Sequence, residues 1–383
     1  MAVIPLTPLY DPDFSDAELK SIHNILASPD LSRGNLAFQF EQAFAAKWGR
    51  AYAVSFSTSS IACYALLRAL NIGAGDEIIA SPLAWHQIAK AVPLNGAFLR
   101  LADINYWTGT LNPAKAEEKI NASTKAILAG NVLGHPAEWQ ALQKIAQKNR
   151  LYLLEDSTEA IASRYLGKPV GSFGIASIFD FAMPSPLATG EGAMVLTDDK
   201  SLYEELRILR GVSEDENHSV IYAGKPSLQA YMSEISAALG LAQLQRLDEI
   251  LEKRLEAESW YFAAMKSFEG IKDPYCAPEV DFLCRTLYGV HLGTRFSKDV
   301  RRQIIQDLRQ AGIDARPYPM MLQRQRLFFD REAPQGPFPK AEQIGERLIV
   351  LPLHGNLDQE DVQFIVQTLK DAAVNIGAGA AIY

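Results

Sequence analysis

Several short stretches of this 383-residue chain carry side chains whose type and spacing could do chemistry. Thr58-Ser59-Ser60 lies between an apolar run and a helical pattern that begins near Ile61. Hydroxyls and unpaired amides at a helix N-terminus form a cradle for an anion such as phosphate, because the free N–H groups and the dipole both favour negative charge. The same residues also serve as a plain N-cap with no ligand. Ser81 to Gln87 follows another apolar run. There Trp85 offers a face to a flat heterocycle, and His86 is a base that could reach a reacting centre. A core tryptophan beside a histidine satisfied by backbone is the ordinary alternative. Glu155-Asp156 closes a further run, where a carboxylate can take a charged hydrogen bond from a pyridine nitrogen. In Phe179 to Val195, Gly190-Glu191-Gly192 marks a tight turn feeding a strand.

The elements that must position these groups follow from periodicity. Short apolar runs at Ala51 to Phe56, Ile78 to Ala80, Ala97 to Leu101, Ala126 to Ala129, Leu151 to Leu154, Ile175 to Phe181 and Ala193 to Leu196 alternate with helical segments. This rhythm predicts a mainly parallel sheet covered by helices on both faces, which binds ligands beyond the carboxyl ends of its strands. A leading helix is expected from Ser15 to Ala27, opened by a Ser15/Glu18 capping box, with Leu19, Ile22, Ile25 and Leu26 on one helical face. A long helix from about Tyr231 to Ser267 connects to mixed strand and helix signals from Arg285 to Ala373, read as a smaller α+β domain. Gly211 to Pro226 reads as a mobile surface loop.

Composition excludes several function classes. A net charge of −8, with lysine and arginine spread along the chain, gives no basic field for a nucleic-acid backbone. No apolar run is long enough to cross a bilayer and the start lacks a secretory pattern, so a soluble cytoplasmic protein with no membrane partner is expected. Cys63, Cys276 and Cys284 form no CxxC pair and are expected to be small buried hydrophobes. The scattered histidines predict no metal site.

Taken in order, these stretches resemble the DegT/DnrJ/EryC1/StrS family of sugar aminotransferases over nearly the whole chain. Supporting motifs are Gly73-Ala-Gly-Asp-Glu77, Thr124 to Leu128, Gly134-His-Pro-Ala137, Gly167 to Gly174, Met232 to Gln243 and Leu351-Pro-Leu-His354. The resemblance implies an α/β, fold-type I pyridoxal-phosphate (PLP) architecture. Residues 1–245 would form the large cofactor-type domain, with its N-terminal arm and a seven-stranded-type sheet, and 246–383 the small C-terminal domain. It further implies a nucleotide-linked sugar as ligand and a homodimer, or a heterodimer with an active relative. It places Trp85 on the cofactor ring, Asp156 at the pyridine nitrogen and Glu159 near the ring hydroxyl, where the family usually has glutamine. Ser59 and Ser60 fall on the pair that cradles the phosphate.

Four features depart from the family pattern. The Schiff-base lysine lies five residues before the GEG turn, and counting back from Gly190 gives Ser185. Serine cannot form an imine with an aldehyde, and its unactivated hydroxyl is a poor base. Asp180 replaces a phosphate-binding serine, which would set a carboxylate beside a dianion at a cost on the order of several kcal/mol. Gln229 stands for the asparagine that reaches across the dimer, and a nearby basic position is Tyr231. Pro184 and Pro186 stiffen the loop around Ser185. Ordinary transamination would need a lysine from elsewhere, since none lies between Phe179 and Gly192. Two further readings stay open. One is a lysine-free, dehydratase-like enzyme using the amine form of the cofactor (PMP) non-covalently, with His86 as base; the other is a cofactor-free sugar-nucleotide-binding or regulatory protein.

Overall fold

The computed structural model describes residues 7–29, 31, 34–211, 227–266, 268, 270–294, 296–318, 320–328 and 335–375. Of the expected loop at Gly211 to Pro226, residues 212–226 lie outside the described residues.

All seven apolar runs become strands of one sheet: β1 (Tyr52–Phe56), β2 (Glu77–Ala80), β3 (Phe98–Leu101), β4 (Thr124–Gly130), β5 (Tyr152–Asp156), β6 (Ala176–Asp180) and β7 (Ala193–Thr197). Their order is β1-β7-β6-β5-β4-β2-β3. Only β7 runs against the others, since it pairs antiparallel with both β1 and β6. Strands such as β6 and β7 are buried at every position, as a sheet covered on both faces requires. The carboxyl ends of β2, β5 and β6 bring Trp85, Asp156 and Asp180 to one edge.

The covering helices include α1 (Asp16–Leu26), α2 (Leu36–Trp48), α3 (Ser59–Ala69), α4 (Trp139–Asn149) and α5 (Lys200–Arg210). The capping box of α1 is present. Its inner face differs from the expected one: Leu19 and Leu26 are exposed, while Glu18 is buried with Ile25. Glu18 turns inward because Gln243 Nε2 and Arg246 Nη1 each donate to its Oε1 at 2.8 Å. A buried carboxylate with two such donors outcompetes an apolar side chain there.

A single helix, α6 (Glu234–Met265), spans the molecule and runs unbroken across the expected domain division at residue 245. Its first half packs Ala237, Leu244 and Leu247 against Phe40, Phe179 and Met194. Its second half places Ala257, Tyr261 and Met265 in a separate core. That core lies on a four-stranded antiparallel sheet of β8 (Ile271–Lys272), β9 (Tyr288–Leu292), β10 (Arg316–Pro317) and β11 (Leu348–Leu351). Helices α7 (Lys298–Gln310), α8 (Pro339–Arg347) and α9 (Gln359–Asn375) accompany it.

Several motifs have structural explanations. A Cβ at Gly134 would lie 2.4 Å from the Cys284 carbonyl, and one at Gly240 would lie 2.7 Å from the Phe40 ring. His354 Nε2 meets the Pro8 carbonyl at 3.2 Å, tying down the N-terminal arm. Cys63 and Cys284 are buried, but Cys276 is exposed rather than packed as a hydrophobe, on the irregular segment ahead of the strand Val280–Phe282. Among the described residues no helix is long and apolar enough to cross a membrane.

The start of α2 depends on a residue some 200 positions away. Glu234 is almost fully buried and its carboxylate accepts from Leu36 N at 2.7 Å and Ala37 N at 3.2 Å. Glu234→Ala leaves those amides without their partner and is predicted to cost about 1–3 kcal/mol. Denaturant unfolding checks this, with Glu234→Gln expected to retain part of the stability.

Candidate functional site

The centre of the site is Asp180, the last residue of β6, which is 3% exposed. Its Oδ2 accepts from Ser59 Oγ at 2.5 Å and from Trp85 Nε1 at 3.1 Å, and its Oδ1 accepts from Ala182 N at 3.0 Å. Ser59 is the first residue of α3, and Thr58 caps that helix by accepting from Ile61 N. A carboxylate of the chain itself therefore lies at the anion-favouring end of α3. Ser60 does not face it, because its hydroxyl donates to the Gln87 carbonyl at 2.6 Å.

Asp156 ends the neighbouring strand, where its Oδ1 accepts from Thr158 N at 3.1 Å. Burial, reinforced by the Asp180 charge and opposed by bonds from Thr158, pushes its carboxyl up to about 7. Glu159 is raised to about 8, first by burial and further by the Asp156 charge, while the Tyr318 hydroxyl opposes the shift. Both Glu159 oxygens lie 2.6 Å from that hydroxyl. Tyr318, just after β10, was not singled out from the sequence. Its only local signal is the tripeptide Arg316-Pro-Tyr, and its pairing partner is 159 residues away.

A cavity of about 270 Å³ opens between Trp85, His86, Glu159, Tyr10 and Tyr318, with Met183 and Pro184 on one side. Burial and the nearby Lys90 hold His86 below the usual imidazole range, against the pull of Asp180, so it stands as a neutral base. Among the described lining residues there is no lysine; Arg316 is the basic one, and it pairs with Asp314 at 2.7 Å. A larger cavity of about 700 Å³ runs along α7 and adjoins the first at Pro317, with Lys298, Arg302 and Arg309 in its wall.

Ser185 is buried in a turn closed by its own N–H to the Ala182 carbonyl at 3.1 Å. Its hydroxyl has no hydrogen-bond partner among the described residues, so no base activates it. The following turn is built on Gly190 (φ +83°) and Gly192 (φ +148°), and a Cβ at Gly192 would lie 2.5 Å from Met232 Cε. Gln229 is exposed, with φ +50°, and its N–H reaches Ser227 Oγ at 3.3 Å. The ring of Tyr231 faces the Arg210 guanidinium, which pairs with Glu41. The fold thus gathers Ser59, Trp85, Asp156, Glu159 and Asp180, sets His86 on the cavity wall, and leaves Ser60 and Gln229 outside these bonds.

These residues fit part of a phosphorylated pyridoxal. Trp85 and Asp156 suit a flat nitrogen heterocycle. In the family pattern the aldehyde end would fall at Ser185, whose hydroxyl cannot form an imine, and the phosphate end near Asp180, where the Ser59 hydroxyl is already committed, so these two positions do not suit an imine-held pyridoxal phosphate.

The DegT/DnrJ/EryC1/StrS aminotransferase family model matches residues 12–370. The chain is 31% identical over 368 residues to the spore coat polysaccharide biosynthesis protein SpsC of Bacillus subtilis, covering 92% of this chain and 94% of that protein. It is 30% identical to GDP-perosamine synthase of Escherichia coli O157:H7, covering 95% and 98%. The PLP-form of the putative sugar aminotransferase Spr1654 from Streptococcus pneumoniae superposes with a TM-score of 0.88 at 25% identity, over 96% of this chain and 99% of that one.

The raised carboxyl of Glu159 has a pH consequence. Between its ordinary 4.5 and about 8 the folded protein holds a proton that the unfolded chain releases, so stability falls as pH rises through that window. Glu159→Gln removes this dependence. Thermal unfolding of the variant is predicted to show a smaller loss of melting temperature between pH 5 and pH 8.5 than the wild type, by roughly the one to three degrees that 1–2 kcal/mol represents in a chain of this length.

Proposed function

The chain belongs to the DegT/DnrJ/EryC1/StrS aminotransferase family, and from that premise we propose that it has given up lysine-dependent amino transfer while keeping a cleft for a nucleotide-linked sugar. The observation that carries this reading is the Ser185 position: a buried, unactivated hydroxyl where the family pattern has its lysine, beside a cavity with no lysine among its described lining residues. The Asp180 bonds to Ser59 and Trp85 support it, because the change extends beyond one residue to the phosphate end of the cleft. The sugar-nucleotide ligand is supported by the relatives, one of them a GDP-perosamine synthase. The cationic groove that adjoins the cleft at Pro317 suits a diphosphate. The family resemblance supports a homodimer or a pairing with an active relative. A second reading, a lysine-free enzyme using PMP, is favoured by one observation: neutral His86 and Glu159 line the same cavity.

Assay of the purified protein with glutamate, PLP and 4-keto sugar nucleotides tests the main reading. No amino sugar is expected, while calorimetry should register binding of GDP- or UDP-linked sugars; amino-sugar formation contradicts it. Ser185→Lys alone is predicted to leave turnover absent, whereas Ser185→Lys with Asp180→Ser regains PLP binding, followed by absorbance.

A further inference from the structure

We infer that Asp180 is a built-in anion that makes the inner end of this cleft select small, flat, amine-bearing ligands without a phosphate. The inference rests on the reading above that the cleft still takes a ligand without a lysine bond, and it adds the chemical class of a second, smaller ligand at the inner end, apart from the sugar nucleotide. The Asp180 carboxylate is buried and holds three donors, Ser59 Oγ, Trp85 Nε1 and Ala182 N. These come from the start of an 11-residue helix, the aromatic wall of the cavity and the strand's own continuation. An incoming phosphate finds the neighbouring hydroxyls already engaged: Ser59 with Asp180, Ser60 with the Gln87 carbonyl, and Thr58 with Ile61 N. In the cavity lining it finds the Glu159 carboxyl, with the Asp180 carboxylate bonded to the Trp85 indole of that wall, and its positive neighbour Arg316 is already paired with Asp314. Displacing the Asp180 carboxylate would break all three of its bonds and release the indole of Trp85.

The same arrangement favours a cation. The cavity of about 270 Å³ has Trp85, Tyr10 and Tyr318 as aromatic walls and Glu159 in its lining, a combination that attracts an ammonium or protonated heterocycle through both ring faces and carboxylate. Burial holds Asp156 and Glu159 partly protonated without a counter-charge, and an amine supplies one. A hydroxyl in place of a phosphate could donate to Asp180.

The probes are pyridoxamine and pyridoxamine 5′-phosphate, which differ only in the phosphate, titrated by calorimetry into the purified full-length protein near pH 7.5. Pyridoxamine is expected to bind at least about tenfold tighter than its phosphate ester. In Asp180→Asn, which keeps the shape and removes the charge, that preference should fall by about tenfold or reverse. Inorganic phosphate should not compete with pyridoxamine in the wild type. Equal or tighter binding of the phosphate ester by the wild type overturns the inference, as does failure of both compounds to bind at millimolar concentration. The wild-type comparison decides the matter even where the variant folds poorly. Amino-group turnover would contradict the loss of lysine chemistry without altering this preference, so the two failures are distinguishable.

Discussion

The buried hydrogen bonds on Asp180 join three elements that are far apart in sequence. The carboxylate links the end of β6 to the first residue of α3 and to the indole of Trp85, which follows β2. A buried carboxylate without a cation is costly unless its lone pairs are filled, and here both oxygens are. Those same donors would otherwise be available to a ligand. Filling them from within stabilises the strand end and α3 in one arrangement. The orientation of Trp85 follows from this junction, and the turn that holds Ser185 starts at Ala182, whose N–H donates to Asp180.

The surrounding fold supplies the rigidity that such a junction requires. Antiparallel β7 locks β6 in register, with Asp180 opposite Ala193, and the Gly190 to Gly192 turn connects to β7 under Met232. Helix α6 then fastens this region to the second core, with Arg254 donating to the carbonyls of Arg285 and Thr286, and Tyr261 donating to the Pro352 carbonyl. The second sheet in turn delivers Tyr318, just after β10, to Glu159.

The strands were legible because buried parallel strands read as short apolar runs between helical patterns, and each of the seven runs became a strand. The capping box of α1 was an equally local signal. What was not legible depended on distant partners. The inward turn of Glu18 follows from Gln243 and Arg246, the role of Glu234 from the amides of α2, and the Ser60 bond from the Gln87 carbonyl. Tyr318 belongs to the site only because the segment after β10 meets the segment after β5 in space. Family spacing identified Ser185 and Asp180 as unusual, but that Asp180 takes the Ser59 hydroxyl and the Trp85 indole is a fact of three-dimensional geometry.

The proposed loss of lysine chemistry implies that this cleft makes no covalent bond to a pyridoxal aldehyde. Incubation of the purified protein with PLP, reduction with borohydride and peptide mapping by mass spectrometry measures that bond directly. The structure predicts no stoichiometric pyridoxyl group on any peptide of the cleft, with incorporation limited to scattered surface lysines at substoichiometric levels. A single lysine carrying one pyridoxyl group per chain, protected from exchange by its position in the cleft, would contradict the account.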